Sequence, residues 1–301
     1  DEEGEIVPRQ TALPEALSHR PAPGRLAFPL QLDPGELRAL YLMPVSGAPP
    51  AEPLPSRAGQ LEVPGFASVS RVGMTLGGLT FPLPELRLIN DPSDTWSHGI
   101  DRYAEGGGRA SWGEPQLTES GPVFSEFTQS GRIGSSDVLR QIRVHAGQAM
   151  VEIRLRVDWN ERNRVLKLVL PCAGFAPTTR VDGIPGAHLE RALDGTERPL
   201  RDWILLANQD DGHLGVLSPE VYAVDATPER VRWPLLRSPQ MAWHDPHPGG
   251  RLDGRYTDRG EHDFCFRFST AEITPEALDA RANMLQRPPA LADLTRGMPA
   301  D

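Results

Sequence analysis

The clearest pattern along the chain is a strict alternation from Met150 to Trp159. Val151, Ile153, Leu155, Val157 and Trp159 fall on one side, and Glu152, Arg154, Arg156 and Asp158 on the other. A period of two places successive side chains on opposite faces, so the segment predicts a half-buried strand. Leu166, Leu168 and Leu170 alternate with Val165, Lys167 and Val169 until Pro171. Phe264, Phe266 and Phe268 alternate with Asp263, Cys265 and Arg267. Shorter apolar runs at Trp203–Ala207, Leu214–Leu217, Val221–Val224 and Val231–Leu236 predict further strands. Turn chemistry separates these segments at Asp210-Asp211-Gly212, Pro228-Glu229 and Asp253-Gly254.

Strands that recur without long intervening helices predict antiparallel sheets stacked face to face. Residues 60–301 therefore read as one large all-β sandwich. Residues 1–59 read as a small β-rich unit with a proline-rich linker, since Ala48-Pro49-Pro50-Ala51-Glu52-Pro53-Leu54-Pro55 lacks backbone donors at each proline. Asp33-Pro34 predicts a short helix through Leu42. Thr274 as cap, Pro275 in the first turn and Pro288-Pro289 as stop predict a second helix over Thr274–Gln286.

Composition narrows the function classes. The chain has 301 residues, 41 acidic and 31 basic, with a net charge of −10. Lys167 is the sole lysine, and the arginines are scattered among more numerous acids, which argues against nucleic acid as a partner. No run of 18 apolar residues is present, so no membrane helix is expected. The segment starting Asp1-Glu2-Glu3 does not read as a signal peptide. Cys172 and Cys265 are too few for a disulfide framework, and they favour a reduced, cytoplasmic setting as small buried hydrophobes.

The common phosphate-loop, dinucleotide, nucleophile-elbow and H-E-x-x-H signatures are missing. Gly106-Gly107-Gly108 has neither the lysine nor the helix of a phosphate loop and reads as a flexible loop. His244-Asp245-Pro246-His247 offers two imidazoles and a carboxylate but no third ligand nearby. The densest polar segment is Asn90–Gly99, where Asp91, Asp94, Trp96 and His98 lie close together. That mixture suits a sugar, because an aromatic face packs on a pyranose while carboxylates and imidazoles bond its hydroxyls. Asp158-Trp159-Asn160-Glu161-Arg162 repeats the theme at a strand end.

Four groups of residues, in order over about residues 60–270, resemble the C-terminal half of glycoside hydrolase family 38 α-mannosidases. Asn90–Ile100 is similar to D-P-x-D-T-W-x-H-G. Trp159–Lys167, followed by Pro171, matches W-x-E-x-x-x-x-L-K…P. Leu205-Leu206-Ala207-Asn208 with Gly212, then Leu235-Leu236-Arg237-Ser238-Pro239, is similar to L-L-N-x-G…L-L-R-S-P, with Ala207 interrupting the first part. Asp258–Phe264 matches D-x-G-x-H-x-F.

The resemblance implies a galactose-mutarotase-like β-supersandwich preceded by a smaller β domain. It also implies retaining hydrolysis of α-mannosides, with an aspartate nucleophile and a zinc ion that holds sugar hydroxyls. In the family those groups belong to an N-terminal barrel and helical bundle, and nothing here resembles them. The expectation is therefore a non-catalytic portion, its zinc and its catalytic domain lying elsewhere. Asp94, Trp96, His98 and Arg237 are the residues expected to face carbohydrate. The alternatives are a free-standing carbohydrate-binding module, or a mutarotase-like epimerase drawing on His98, His145 and Glu190.

Overall fold

The structure, a computed structural model, describes residues 7–13, 25–33, 35–41, 51–99, 103, 106–242, 255–271 and 273–290. Two short strands, Gln10–Ala12 (β1) and Arg25–Ala27 (β2), pair with each other. A five-stranded meander follows: Ser56–Arg57 (β3), Gln60–Val63 (β4), Ala67–Ser70 (β5), Gly73–Leu76 (β6) and Leu79–Pro82 (β7). Next come Glu85–Asn90 (β8), Ser111–Trp112 (β9), Gln116–Ser120 (β10), Phe124–Ile133 (β11), Ser136–His145 (β12), Met150–Trp159 (β13) and Arg164–Pro171 (β14). Then follow Thr179–Ile184 (β15), Ala187–Glu190 (β16), Arg198–Pro199 (β17), Trp203–Ala207 (β18), His213–Leu217 (β19), Ala223–Thr227 (β20), Arg230–Arg237 (β21) and Gly260–Ser269 (β22). One helix, Pro275–Gln286 (α1), comes last among the described residues.

The fold is all-β, as the alternation predicts. A ten-stranded antiparallel sheet runs β10-β11-β12-β13-β22-β19-β18-β15-β16, with β9 added beside β11. A five-stranded sheet, β17-β20-β21-β14-β8, lies against it. The late strand β22 sits between β13 and β19, joining the two halves of the large sheet. Val151, Ile153, Leu155, Val157 and Trp159 of β13 are all 1% exposed or less and share a core with Leu166, Leu168 and Leu170 of β14. Trp233 of β21 meets Phe266 and Phe268 of β22 edge-on, at 5.5 and 6.3 Å between centroids. Burying each such side chain contributes about 1.5–3 kcal/mol. These contacts fix one sheet over the other.

Leu61, Val63, Val69, Met74, Leu76 and Phe81 of the meander belong to that same core. The 59/60 division falls in the turn between β3 and β4, where Arg57 pairs with Gln60 and Gly59 takes φ +74.

α1 forms as its cap and proline predict. Thr274 Oγ1 accepts from Ala277 N at 3.2 Å, and Pro275 occupies the first turn. Leu278 and Ala282 pack on Trp203, Leu205 and Leu217, and Asp279 takes the Trp203 indole N–H at 2.6 Å. The helix expected from Asp33 does not form over the described residues 35–41. A single turn closes from Glu36 N to Asp33 O at 2.9 Å, and Gly35 then takes φ +81. Leu37 is 95% exposed, so a helix there would have no apolar face to bury.

Candidate functional site

β8 ends at Asn90, and the chain enters a loop built from its own polar side chains. Asp91 Oδ1 accepts from Ser93 N at 3.1 Å, and Ser93 Oγ donates to His98 O at 3.1 Å. Asp94 Oδ1 accepts from Trp96 N at 2.8 Å and from His98 N at 3.4 Å. These are Asx-type closures, in which a short carboxylate takes the place of a backbone acceptor. Ser97 accordingly adopts φ +59. The other carboxylate oxygen of Asp94 meets His98 Nδ1 at 2.6 Å. The His98 imidazole and the Trp96 and His98 backbone N–H groups hold the Asp94 carboxyl below its usual range.

The Asp94 carboxylate accepts from His98 Nδ1, and Nε2 takes no part in that pair. The His98 side chain is 64% exposed. Its ring meets Trp96 edge-on at 5.4 Å, and Trp96 is 51% exposed. A half-exposed indole thus stands beside an exposed imidazole, a pair suited to a ligand with one apolar face and hydroxyls at its edge.

Arg237 comes from the far end of β21. Its Nε donates to Asp91 Oδ2 at 2.7 Å, and Nη2 donates to Asp94 O at 2.8 Å. Asp91 is fully buried, and its backbone N–H bonds Asn163 O at 2.9 Å. Arg237 therefore joins Asp94, Trp96 and His98 in space and holds the loop in place. Asp91 is the positioning residue that residue type alone does not single out, although its place at a strand end before proline is visible. Thr95 N bonds Gln240 O at 3.0 Å, and Ala242 N bonds Thr95 Oγ1 at 2.9 Å, which fastens the loop to the segment after β21.

A family model described as "Glycosyl hydrolases family 38 C-terminal domain" matches residues 87–247, which include the whole loop and Arg237. The chain belongs to this family. Its fold is similar to that of a glycosyl hydrolase family 38 protein from Enterococcus faecalis, with a TM-score of 0.64 at 10% identity, covering 81% of this chain and 34% of that one. An α-mannosidase from Enterococcus faecalis V583 gives 0.61 at 11% identity, covering 80% of this chain and 32% of that one. The chain thus spans about a third of the length of these structures. No curated protein sequence matches it.

For this family 38 C-terminal domain, the other expected positions resolve as follows. Glu161, in the second polar segment, turns inward: its Oε1 accepts from Ser135 N at 2.5 Å and Ser136 Oγ at 3.0 Å, closing the β11–β12 hairpin. Of the epimerase trio, His145 lies on β12 and the exposed Glu190 on β16, six strand positions away on the same sheet, so the two do not share a site. Gly107 is pressed on β8, and Leu88 N bonds Gly108 O at 2.9 Å, so the glycine run is an anchored edge segment and not a flexible loop.

Burial raises both cysteine thiols to about 12, which leaves them protonated at neutral pH. Among the described residues, no three His, Cys, Asp or Glu side chains converge on a metal position. His244 and His247, and the Asp253-Gly254 turn, lie outside the described residues. No helix among the described residues is long and apolar enough to cross a membrane.

Proposed function

We propose that this chain is the non-catalytic C-terminal portion of a retaining, zinc-dependent α-mannosidase, in which the Asn90–Gly99 loop forms one wall of the sugar site. The observation that carries this reading is the half-exposed Trp96 side chain edge-on to His98, in a loop held by Asp94, Asp91 and Arg237 within the matched family region. Trp96 would pack on the apolar face of a mannose ring, and His98 Nε2 would accept from a hydroxyl. The attacking carboxylate and the zinc ligands belong to a catalytic domain outside this chain, which is its main partner. The length relation to the Enterococcus structures supports that division.

The test is kinetic. In the zinc-loaded parent enzyme, Trp96→Ala and His98→Ala should each lower kcat/KM on an aryl α-mannoside by roughly 5- to 30-fold, equivalent to about 1–2 kcal/mol. Wild-type kinetics in both variants would remove the site assignment. Calorimetry of the isolated chain with mannose oligosaccharides separates this reading from a free-standing binding module. Millimolar or tighter binding without the catalytic domain would favour the module.

A further inference from the structure

Antiparallel pairing brings the end of β8, the start of β14, the end of β21, the start of β20 and the end of β17 to one end of the five-stranded sheet. The Trp96 loop leaves that end from β8, at one edge. At the other edge, four strand spacings or roughly 20 Å away, the chain leaves β17 and runs through Leu200, Arg201 and Asp202 into β18. A cavity of about 610 Å³ opens there. That size lies within the roughly 300–1,000 Å³ of small-ligand pockets.

The walls are rigid and apolar. Ile184 and Pro185 come from the β15–β16 turn, Pro199 and Leu200 from the end of β17, and Pro219 from the loop before β20. Tyr222, 71% exposed, adds an aromatic ring from that same loop. The polar part of the lining is Arg201, Asp202 and Gln286, the last residue of α1. These three bond one another. Arg201 Nε donates to Asp202 Oδ2 at 3.2 Å, Arg201 Nη2 donates to Gln286 Oε1 at 3.4 Å, and Gln286 Nε2 donates to Asp202 Oδ1 at 2.6 Å. The charges of the lining are that one guanidinium and that one carboxylate, paired together, so the cavity suits a neutral ligand. Arg201 Nη1 and the Tyr222 hydroxyl take no partner among the described residues.

The backbone sets this arrangement in advance. A Cβ at Gly183 would lie 2.5 Å from Arg201 O, and Arg201 N bonds Gly183 O at 2.8 Å, so the glycine lets the β17–β18 connection press onto β15. Ser218 N bonds Asp202 O at 2.8 Å, and Asp202 takes φ +67, a left-handed conformation uncommon outside glycine. The polar trio is held in place before a ligand arrives, which reduces the ordering cost of binding.

We propose that this cavity binds a pyranoside, as a saccharide site distinct from the Trp96 loop. Adjacent planar donors and acceptors match the neighbouring hydroxyls of a sugar ring, while the tyrosine and prolines pack on its C–H face. A proline-rich peptide would also meet an aromatic and apolar wall, but it brings no row of hydroxyls to Arg201, Asp202 and Gln286. The inference does not rest on sugar binding at Trp96.

The experiment is an NMR titration of the isotope-labelled full chain, with and without Trp96→Ala, using methyl α-D-mannopyranoside and separately methyl α-D-glucopyranoside. Saturable, millimolar shifts of the Arg201, Asp202 and Tyr222 amides are expected with at least one probe, and Trp96→Ala should leave them unchanged. Tyr222→Ala and Gln286→Ala, both at exposed positions, should each weaken binding roughly tenfold while circular dichroism and thermal unfolding stay as in the parent chain. Should one of the two disturb the fold, the other gives the reading. Absence of saturation with both sugars, equal affinity in the folded variants, or saturation by an oligoproline peptide alone overturns the proposal. None of these outcomes bears on the kinetic test of Trp96 and His98, so the two readings fail separately.

Discussion

Arg237 at the end of β21 forks onto Asp91 at the end of β8, across the intervening strand β14, with Nε–Oδ2 at 2.7 Å and Nη2–Oδ1 at 3.3 Å. The two residues stand 146 positions apart in the chain. The pair fastens the Trp96 loop to the sheet, so the orientation of the indole depends on an arginine that does not touch it.

Removing that arginine strands a buried charge. Arg237→Ala leaves the Asp91 carboxylate fully buried without its guanidinium, and should cost about 3–5 kcal/mol in urea unfolding. Asp91→Asn should cost less, because Arg237 keeps 24% side-chain exposure and water can solvate it. A larger loss in Asp91→Asn than in Arg237→Ala would contradict the positioning role.

The β11–β12 hairpin is equally specific. Gly134 takes φ +59, and a Cβ there would lie 2.5 Å from Glu161 Oε1. Gly134→Ala should therefore destabilise the fold by about 2 kcal/mol or more, by chemical denaturation. Because Glu161 also accepts from Ser135 N and Ser136 Oγ, pairing Gly134→Ala with Glu161→Ala should give a non-additive result. Strict additivity would show that the two residues do not meet.

His145 should make stability depend on pH. Burial lowers its imidazole to about 4, against the opposing pull of Glu152 and alongside Arg143, Arg267 and Arg154. Its folded value lies below its unfolded value near 6.5, so the unfolded chain binds the extra proton in between. The contribution is fully present above about 6.5 and is lost as pH falls to about 4, for a total on the order of 3 kcal/mol. Asp94, whose folded value is depressed below the usual aspartate range, loses its contribution only at lower pH. Urea unfolding of the parent chain and His145→Gln at pH 7, 5.5 and 4 should show a shallower fall in the variant. Parallel curves would exclude His145 as the source.

Legibility followed burial. β13 was readable because one face meets the core and the other carries a row of charged side chains, so its polarity alternates. β14 blurred because both faces are buried: Leu166, Leu168 and Leu170 face the core, while Lys167 lies under Asp225 and Glu197. β11 gave little signal because its aromatics divide between faces. Phe127 enters the core, while Phe124 meets His145 and carries the Arg143 guanidinium 4.3 Å from its ring centre. In β12, Arg140 occupies an inward position between Val138 and Ile142, bonded to Gln129 at 2.6 Å and 4.2 Å from the Trp112 ring, and so disguises an otherwise regular alternation.

The amino-acid order alone determined that the chain is β-rich, where its regular strands and late helix lie, and that Asp94, Trp96 and His98 form one loop. Those features rest on neighbours a few residues apart, whose spacing is itself the geometry. Tertiary structure alone decided that Arg237 anchors that loop through Asp91, that Glu161 closes a distant hairpin, and that Arg201, Tyr222 and Gln286 from separate segments line one cavity. Each depends on which strands lie side by side, and a charged side chain does not reveal by its type whether its partner is water or a carboxylate far along the chain.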